Sequence, residues 1–422
     1  MTDLLFRNVT LPDGRAGLDV ACAGGRIAAM APNIAGGAGR VVDAGGRLLS
    51  VAFADCHFHL DATLSLGRPR LNVSGTLLEG IELWGELKAI QTHEEIVARA
   101  LDYVDLAVAQ GITAIRSHVD VCGGLRGVEA LLEVRARAAK WLDLQLVAFP
   151  QDGLFRDPGA EANLLAALDR GVEIVGGIPH FERTMEEGAR SVRRLCAIAA
   201  ERGLAIDLHC DETDDPMSRH VETLAMETQR LGLTRATASH LTSMHSMDNY
   251  YVSKLIPLIA EAGLGVIANP AVNLLIQGRH DGYPKRRGLT RAPELRAAGV
   301  TVAYGQDCMM DPWYPLGTAD MLEVASLGVH ATQCSGRAGV ASAFAAVTTD
   351  AASVMGLEGR GLAPGDRADL VLLDATDPVD AVRRRAARLV VARAGEVVAE
   401  SAARAPRLSL PGRPETPRAG LL

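Results

Sequence analysis

Residues 48–59 read LLSVAFADCHFH, an apolar run that begins as a buried strand would and finishes in His57-Phe58-His59. Seven more runs of the same design follow: ITAIRSHVDV (112–121), LDLQLVAFPQ (142–151), VEIVGGIPH (172–180), LAIDLHCDE (204–212), RATASHL (235–241), LGVIANPAVN (264–273) and VTVAYGQD (300–307). Each starts apolar, as strands of a parallel sheet buried on both faces do. Each finishes in polar or ionisable residues: His57/His59, His118, Gln151, His180, His209/Glu212, His240, Asn269/Asn273 and Asp307. Between the runs lie amphipathic stretches such as THEEIVARALDYVDLAVAQG (92–111), with apolar residues at helical spacing and a terminating Gly. Strands alternating with helices specify an α/β protein. Eight strands that all end in polar chemistry point to a (β/α)8 TIM-like barrel, whose active site is assembled at the C-terminal ends of its strands. An open doubly wound sheet would concentrate its polar ends at the switch point instead.

Outward from these runs the rhythm changes. Before residue 50, short apolar runs alternate with turn signals (LLFRNVT, PDGR, LDVACAG, GRIAAMAP, GGRLLS), and the same pattern returns in GLAPGDRADLVLLDA and RLVVARAGEVVAE. The expected organisation is a small discontinuous β-sandwich domain formed by both chain ends (1–49 and 356–400) and a barrel over 50–355. Residues 401–422, rich in Arg, Pro and Ala, read as a loosely held tail.

With 48% apolar and 22% charged residues among 422, the chain has the material for a large ordered core. A formal net charge of −8 argues against a nucleic-acid partner, since phosphate binding needs clustered Lys and Arg. No uninterrupted apolar run approaches the ~20 residues of a membrane span. The start, MTDLLFRNVTLPDGR, lacks the basic-then-apolar order of a leader peptide. Seven scattered cysteines without a C-x-x-C pair read as reduced thiols of a cytoplasmic protein. The implied partner is a small molecule.

Side chains alternate along a strand, so His57 and His59 point to the same side. An H-x-H is weak evidence of metal binding by itself. It gains weight from His209 and Asp307, which end the fifth and eighth runs and which a barrel would bring to the same mouth. Three imidazoles and a carboxylate suit one divalent metal ion, Zn or Fe(II), with a position left for water. Taken singly, His209 reads equally well as a buried histidine bonded to backbone and Asp307 as a helix N-cap. Two-metal sites on such barrels are commonly bridged by a carboxylated lysine at a strand end. None of Lys88, Lys140, Lys254 and Lys285 ends a predicted strand, so a single metal is expected. No H-x-E in the chain is followed by P-C-x-x-C, so the zinc pattern of the cytidine-deaminase type is missing.

The segments HFHLDATLS, SGTLLEGIELW, SHVDVC, VAFPQDG, IPHFE, DLHCDETDD, ASHLTSMHS, ANPAVN, QGRHDGYPKRRG and DPWYPLG together span much of residues 50–335. In them the chain resembles the amidohydrolase superfamily and, within it, the bacterial cytosine deaminases. The resemblance implies an aminohydrolase acting on a cyclic amidine at the C4 amino group of a free pyrimidine base, with a metal that activates water. It implies that His57, His59, His209 and Asp307 bind the metal, that Asp307 and His240 orient the attacking water, and that Glu212 delivers a proton to ring N3. It places Gln151 at the base's O2 and ring edge, and Leu77 and Trp313 beside the ring. Homo-oligomers are common in this family, so one is expected here.

One departure stands out. Where the family pattern is His-Asp-Asp, this chain reads Gln306-Asp307-Cys308. The second acid lies near the substrate's amino group and C5 edge, and a small, weakly polar thiol there makes that edge apolar. A C5 methyl would then find space, with burial contributing about 0.8 kcal/mol before steric relief. The expected reaction is 5-methylcytosine to thymine plus ammonia, with cytosine to uracil as the alternative. Isocytosine, isoguanine and creatinine are further substrates that the same metal and acid would serve. A base-binding protein without turnover is the reading from a different class.

Overall fold

The computed structural model describes residues 2–403 and 406–416. The chain divides into two compact units, one comprising 53–107 and 112–358, the other 2–52, 108–111 and the described residues from 359 onward. Part of the expected tail, 404–405 and 417–422, lies outside the described residues.

The smaller unit is a mixed sheet built from both chain ends. Its strands are β1 (Thr2–Thr10), β2 (Ala16–Ala23), β3 (Arg26–Ala31), β4 (Ala38–Asp43) and β5 (Leu48–Val51), joined by three strands from the end of the chain, Leu370–Leu373, Arg388–Arg393 and Glu396–Glu400. β1 pairs with β4 along Thr2–Arg7 but with β5 only at Thr10, so the sheet branches there. Alternate residues Leu4 and Phe6, Val20 and Cys22, Leu370 and Leu372, and Val390 and Ala392 pack in one buried cluster. This is the period-2 face that the sequence pattern predicts.

The larger unit is a (β/α)8 barrel. Its strands are β6 (Phe53–Phe58), β7 (Ile112–Asp120), β8 (Asp143–Phe149), β9 (Ile174–Gly177), β10 (Ala205–Cys210), β11 (Ala236–His240), β12 (Gly265–Ala268) and β13 (Val302–Tyr304), all parallel and paired in chain order. The first and last strands meet through a parallel bridge between Phe58 and Asp307. There Asp307 N donates to His57 O (2.8 Å) and His59 N to Asp307 O (3.1 Å). The joint that closes the barrel thus brings together three of the expected metal ligands. Helix His93–Ala109 starts at a capping box, with Glu95 N on Thr92 Oγ1 (3.2 Å) and Thr92 N on Glu95 Oε2 (3.0 Å).

All eight runs contain a barrel strand, but three are built differently from the simple expectation; in the fourth, His180 lies on a short 3-10 helix, Pro179–Phe181, beyond the strand end. The first run is shared: Leu48–Val51 pairs antiparallel with Leu370–Leu373 in the terminal sheet, and only Phe53–Phe58 belongs to the barrel. An unbroken apolar run carries no periodicity that marks such a division. In the seventh run, Asn273 lies not at a strand end but on a helix, Pro270–Ile276, which Pro270 opens at its first turn. Among the described residues no helix is long and apolar enough to cross a membrane.

Candidate active site

His57, His59, His209 and Asp307 converge at the C-terminal mouth of the barrel, and one ligand atom from each lies within 4.8 Å of all the others. All four are buried. The Nε2 atoms of His59 and His209 face each other at 3.0 Å, and Asp307 Oδ1 lies 3.3 Å from His57 Nε2 and 3.4 Å from His59 Nε2. Metal–ligand bonds of ~2.0–2.2 Å in tetrahedral array place neighbouring ligand atoms ~3.3 Å apart, so the donor set fits a single divalent ion. His57 Nε2, fully buried, has no hydrogen-bond partner, as befits a lone pair kept for a metal.

The local electrostatics favour the ligand forms of these groups. Burial, reinforced by the neighbouring imidazoles, pushes His209 well below the usual histidine range and so keeps it neutral. Burial alone would raise the Asp307 carboxyl, but His240, His57 and His59 outweigh it and hold Asp307 well below the carboxylate range. Asp307 (φ 68°) and His240 (φ 73°) both adopt the left-handed backbone region. Strain of this kind in non-glycine residues gathers at functional sites.

Glu212, Gln151, Leu77, Cys308 and Trp313 line one pocket together with His59, His209 and Asp307. Ile178, Val272 and Ile276 complete its apolar walls. His240 stands beside it, with Nδ1 3.1 Å from Glu212 Oε1 and 4.0 Å from Asp307 Oδ2. Asn273 Nδ2 reaches His240 Nδ1 (3.1 Å) and Glu212 Oε1 (3.4 Å). Burial, then the Asp307 charge, raises the Glu212 carboxyl well above its usual range. Burial likewise holds the Cys308 thiol well above its ordinary value, so the group beside Asp307 is neutral. The structure thus gathers all ten residues singled out from the sequence.

The helix Leu77–Ile90 carries Leu77 to the pocket and is capped by Thr76, whose hydroxyl accepts from Glu79 N (3.2 Å). Asp120 anchors it, accepting from Trp84 Nε1 (2.7 Å) and Lys88 Nζ (2.8 Å). Lys88 also bonds Asp152 Oδ2 (2.5 Å), next to Gln151, so this lysine braces the segment that carries Gln151 from a helix. Gly80 lets the helix approach Trp313: a Cβ there would lie 2.2 Å from Trp313 Cδ1. Gly80→Ala is therefore expected to push the indole toward the substrate pocket. The overpacking should cost about 1–3 kcal/mol in denaturant unfolding and raise KM; unchanged stability and KM would show that Trp313 moves freely.

Sequence reasoning missed several residues. Ile178, Val272 and Ile276 give no signal that separates a pocket wall from a core. Asp207 and Arg116 give a weak one: they stand two residues before His209 and His118, hence on the same strand faces. His118 itself is buried against the His57 ring (centroids 4.2 Å apart), with both ring nitrogens unpartnered. Its pKa is well below the usual value, chiefly through burial.

Known proteins share this arrangement of chain and fold. A crystal structure of 5-methylcytosine deaminase from Klebsiella pneumoniae liganded with 5-fluorocytosine is 39% identical, covers 96% of this chain and 99% of that one, and superposes with a TM-score of 0.93. N-isopropylammelide isopropylaminohydrolase from Burkholderia multivorans is 30% identical over 95% of this chain and 99% of its own, with a TM-score of 0.83. Pterin deaminase from Rhizobium rhizogenes is 32% identical over 362 residues, 83% of this chain and 80% of that protein. Residues 40–400 match the sequence model of the amidohydrolase family, and the chain belongs to that family.

Proposed function

We propose that this protein is a metal-dependent aminohydrolase that converts 5-methylcytosine and water to thymine and ammonia. The observation that carries this reading is the meeting of a four-residue metal cluster with Glu212, Gln151 and Cys308 in one apolar-walled pocket. The likeness to the Klebsiella 5-methylcytosine deaminase over nearly the whole chain supports the choice of base.

His57, His59, His209 and Asp307 would hold the metal. When bound, Zn or Fe(II) lowers the pKa of water toward neutrality and so supplies the nucleophile. Asp307 takes up the proton that the attacking water loses and, with His240, directs the attack to C4. Glu212, kept protonated in its buried position, gives its proton to N3, so that charge does not build up on the ring. Asp307 then passes its proton to the departing amine, which leaves as ammonia, and the hydroxyl proton released as the C4 carbonyl forms returns to Glu212. Gln151 pairs through its amide with O2 and the adjacent ring edge. Leu77 and Trp313 flank the ring and exclude water.

The Cys308 thiol, small and neutral, borders C5. In Cys308→Asp a charge returns to that edge, and the ratio of kcat/KM for 5-methylcytosine over cytosine is expected to fall roughly 10- to 200-fold, the range one methyl-sized difference commands. Steady-state assays of both proteins on both bases check this. An Asp variant that keeps the wild-type preference would remove Cys308 from the specificity account. Ammonia release in step with base consumed separates an enzyme from a base-binding protein, and profiling isocytosine, isoguanine and creatinine separates the substrates. The reading carries a homo-oligomer in the cytoplasm. Seven free cysteines suit a reducing compartment, and light scattering counts the subunits.

A further inference from the structure

A buried chain of polar groups leads from the metal cluster down the barrel interior. His57 Nδ1 lies 2.9 Å from Ser239 Oγ, Ser239 Oγ donates to Asp207 Oδ1 (2.7 Å), and Arg116 Nη1 donates to Asp207 Oδ2 (2.8 Å). His57, Ser239 and Asp207 are 0% exposed and Arg116 is 3% exposed. The guanidinium is secured in turn, by Gln145 Oε1 (3.0 Å) and the Val354 carbonyl (3.2 Å).

The proton positions in this chain follow from counting. A carboxylate only accepts, and a hydroxyl carries a single hydrogen. With the Ser239 hydrogen directed to Asp207, Ser239 can only accept from His57. A metal-ligating His57 ring carries a single hydrogen, which must then sit on Nδ1 and leaves Nε2 with its lone pair directed at the metal cluster. That is the atom found buried without a hydrogen-bond partner, 3.3 Å from Asp307 Oδ1. Arg116 completes the logic: it balances a carboxylate that has no access to water, and so keeps Asp207 an acceptor. His57, His118 and Asp207 also come within 4.8 Å of one another, but the guanidinium on Asp207 repels a second cation there.

We infer that Ser239, Asp207 and Arg116 form a relay that fixes the tautomer of His57 and thereby sets the metal affinity of the site. Ser239 and Asp207 are positioning residues, since they act through His57 and touch neither metal nor substrate. Partners of this kind orient a ligating imidazole and raise its basicity. The inference rests on the metal-binding reading of the four-residue cluster.

Its test is a zinc titration of the metal-free full-length protein against a competing chelator, together with 15N NMR of the His57 ring. The wild type is expected to carry the proton on Nδ1. Ser239→Ala should weaken zinc binding roughly 10- to 100-fold, the usual loss when such a partner is removed, and lower the melting temperature of the metal-free protein, since His57 Nδ1 and Asp207 Oδ1 each lose a buried partner; the ring-proton position read by 15N NMR separates the relay from that loss of stability. Ser239→Thr, which keeps the hydroxyl, should restore most of the affinity. Asp207→Asn should act more strongly. Arg116 would hold the new amide by its oxygen, the NH2 would donate to Ser239, and the hydroxyl would then donate to His57 Nδ1, moving the ring proton to Nε2. Should that variant fail to fold because Arg116 has lost its counter-charge, the serine variants decide. Wild-type zinc affinity in Ser239→Ala, or an Nε2 proton in the native ring, would overturn the relay. A wild-type protein that binds no zinc would instead overturn the metal reading itself.

Discussion

Replacing Glu212 by Gln is expected to lower kcat for pyrimidine deamination by roughly 10²- to 10⁴-fold, the range lost with a general acid or base. Metal content should not change if the ion sits among His57, His59, His209 and Asp307; loss of metal would instead point to the smaller grouping of Glu212 with His240 and Asp307. The substitution preserves shape and most contacts, since an amide can still meet His240 and Asn273 where Glu212 Oε1 lies 3.1 Å and 3.4 Å from them. It removes only the transferable proton. Measured kcat, with metal analysis of the same sample, checks the expectation. A Gln variant with near wild-type kcat would mean that N3 receives its proton from another group.

Removing the metal should have a still larger effect. Bound metal brings the pKa of water down to about 7, and among the residues around the pocket there is no serine or cysteine nucleophile poised to replace it: Cys308 is buried and neutral. Chelation is expected to reduce turnover to background, and one equivalent of Zn or Fe(II) per chain to restore it. In His209→Asn the cluster loses one of its three imidazoles, and added metal should not restore activity. Activity that survives chelation with no detectable metal would contradict the role given to the cluster.

Much of this architecture was legible in the sequence because a barrel concentrates its chemistry at strand ends. His57, His59, His209, His240 and Asp307 each follow an apolar run, and the fold then sets them side by side. Gln151 and Glu212 also end such runs, but their roles, like the choice of Leu77, Cys308 and Trp313, came from family resemblance. What stayed hidden depends on long-range partners. Leu48–Val51 looks like the start of a barrel strand until Leu370–Leu373 claims it. Gly80 is an ordinary helix glycine until Trp313 lies against it. Asp207 and Arg116 sit inside runs that otherwise read as hydrophobic, and their meaning appears only when they pair across the barrel with Ser239 and His57.

The most direct test of the central claim supplies metal-loaded protein with 5-methylcytosine and, in parallel, cytosine, and follows ammonia release to obtain kcat/KM for each. Thymine and ammonia are expected in equal amounts from 5-methylcytosine, at a higher kcat/KM than for cytosine. A higher value for cytosine would contradict the specificity assigned to Cys308, and the absence of ammonia from either base would contradict the pyrimidine deaminase reading itself.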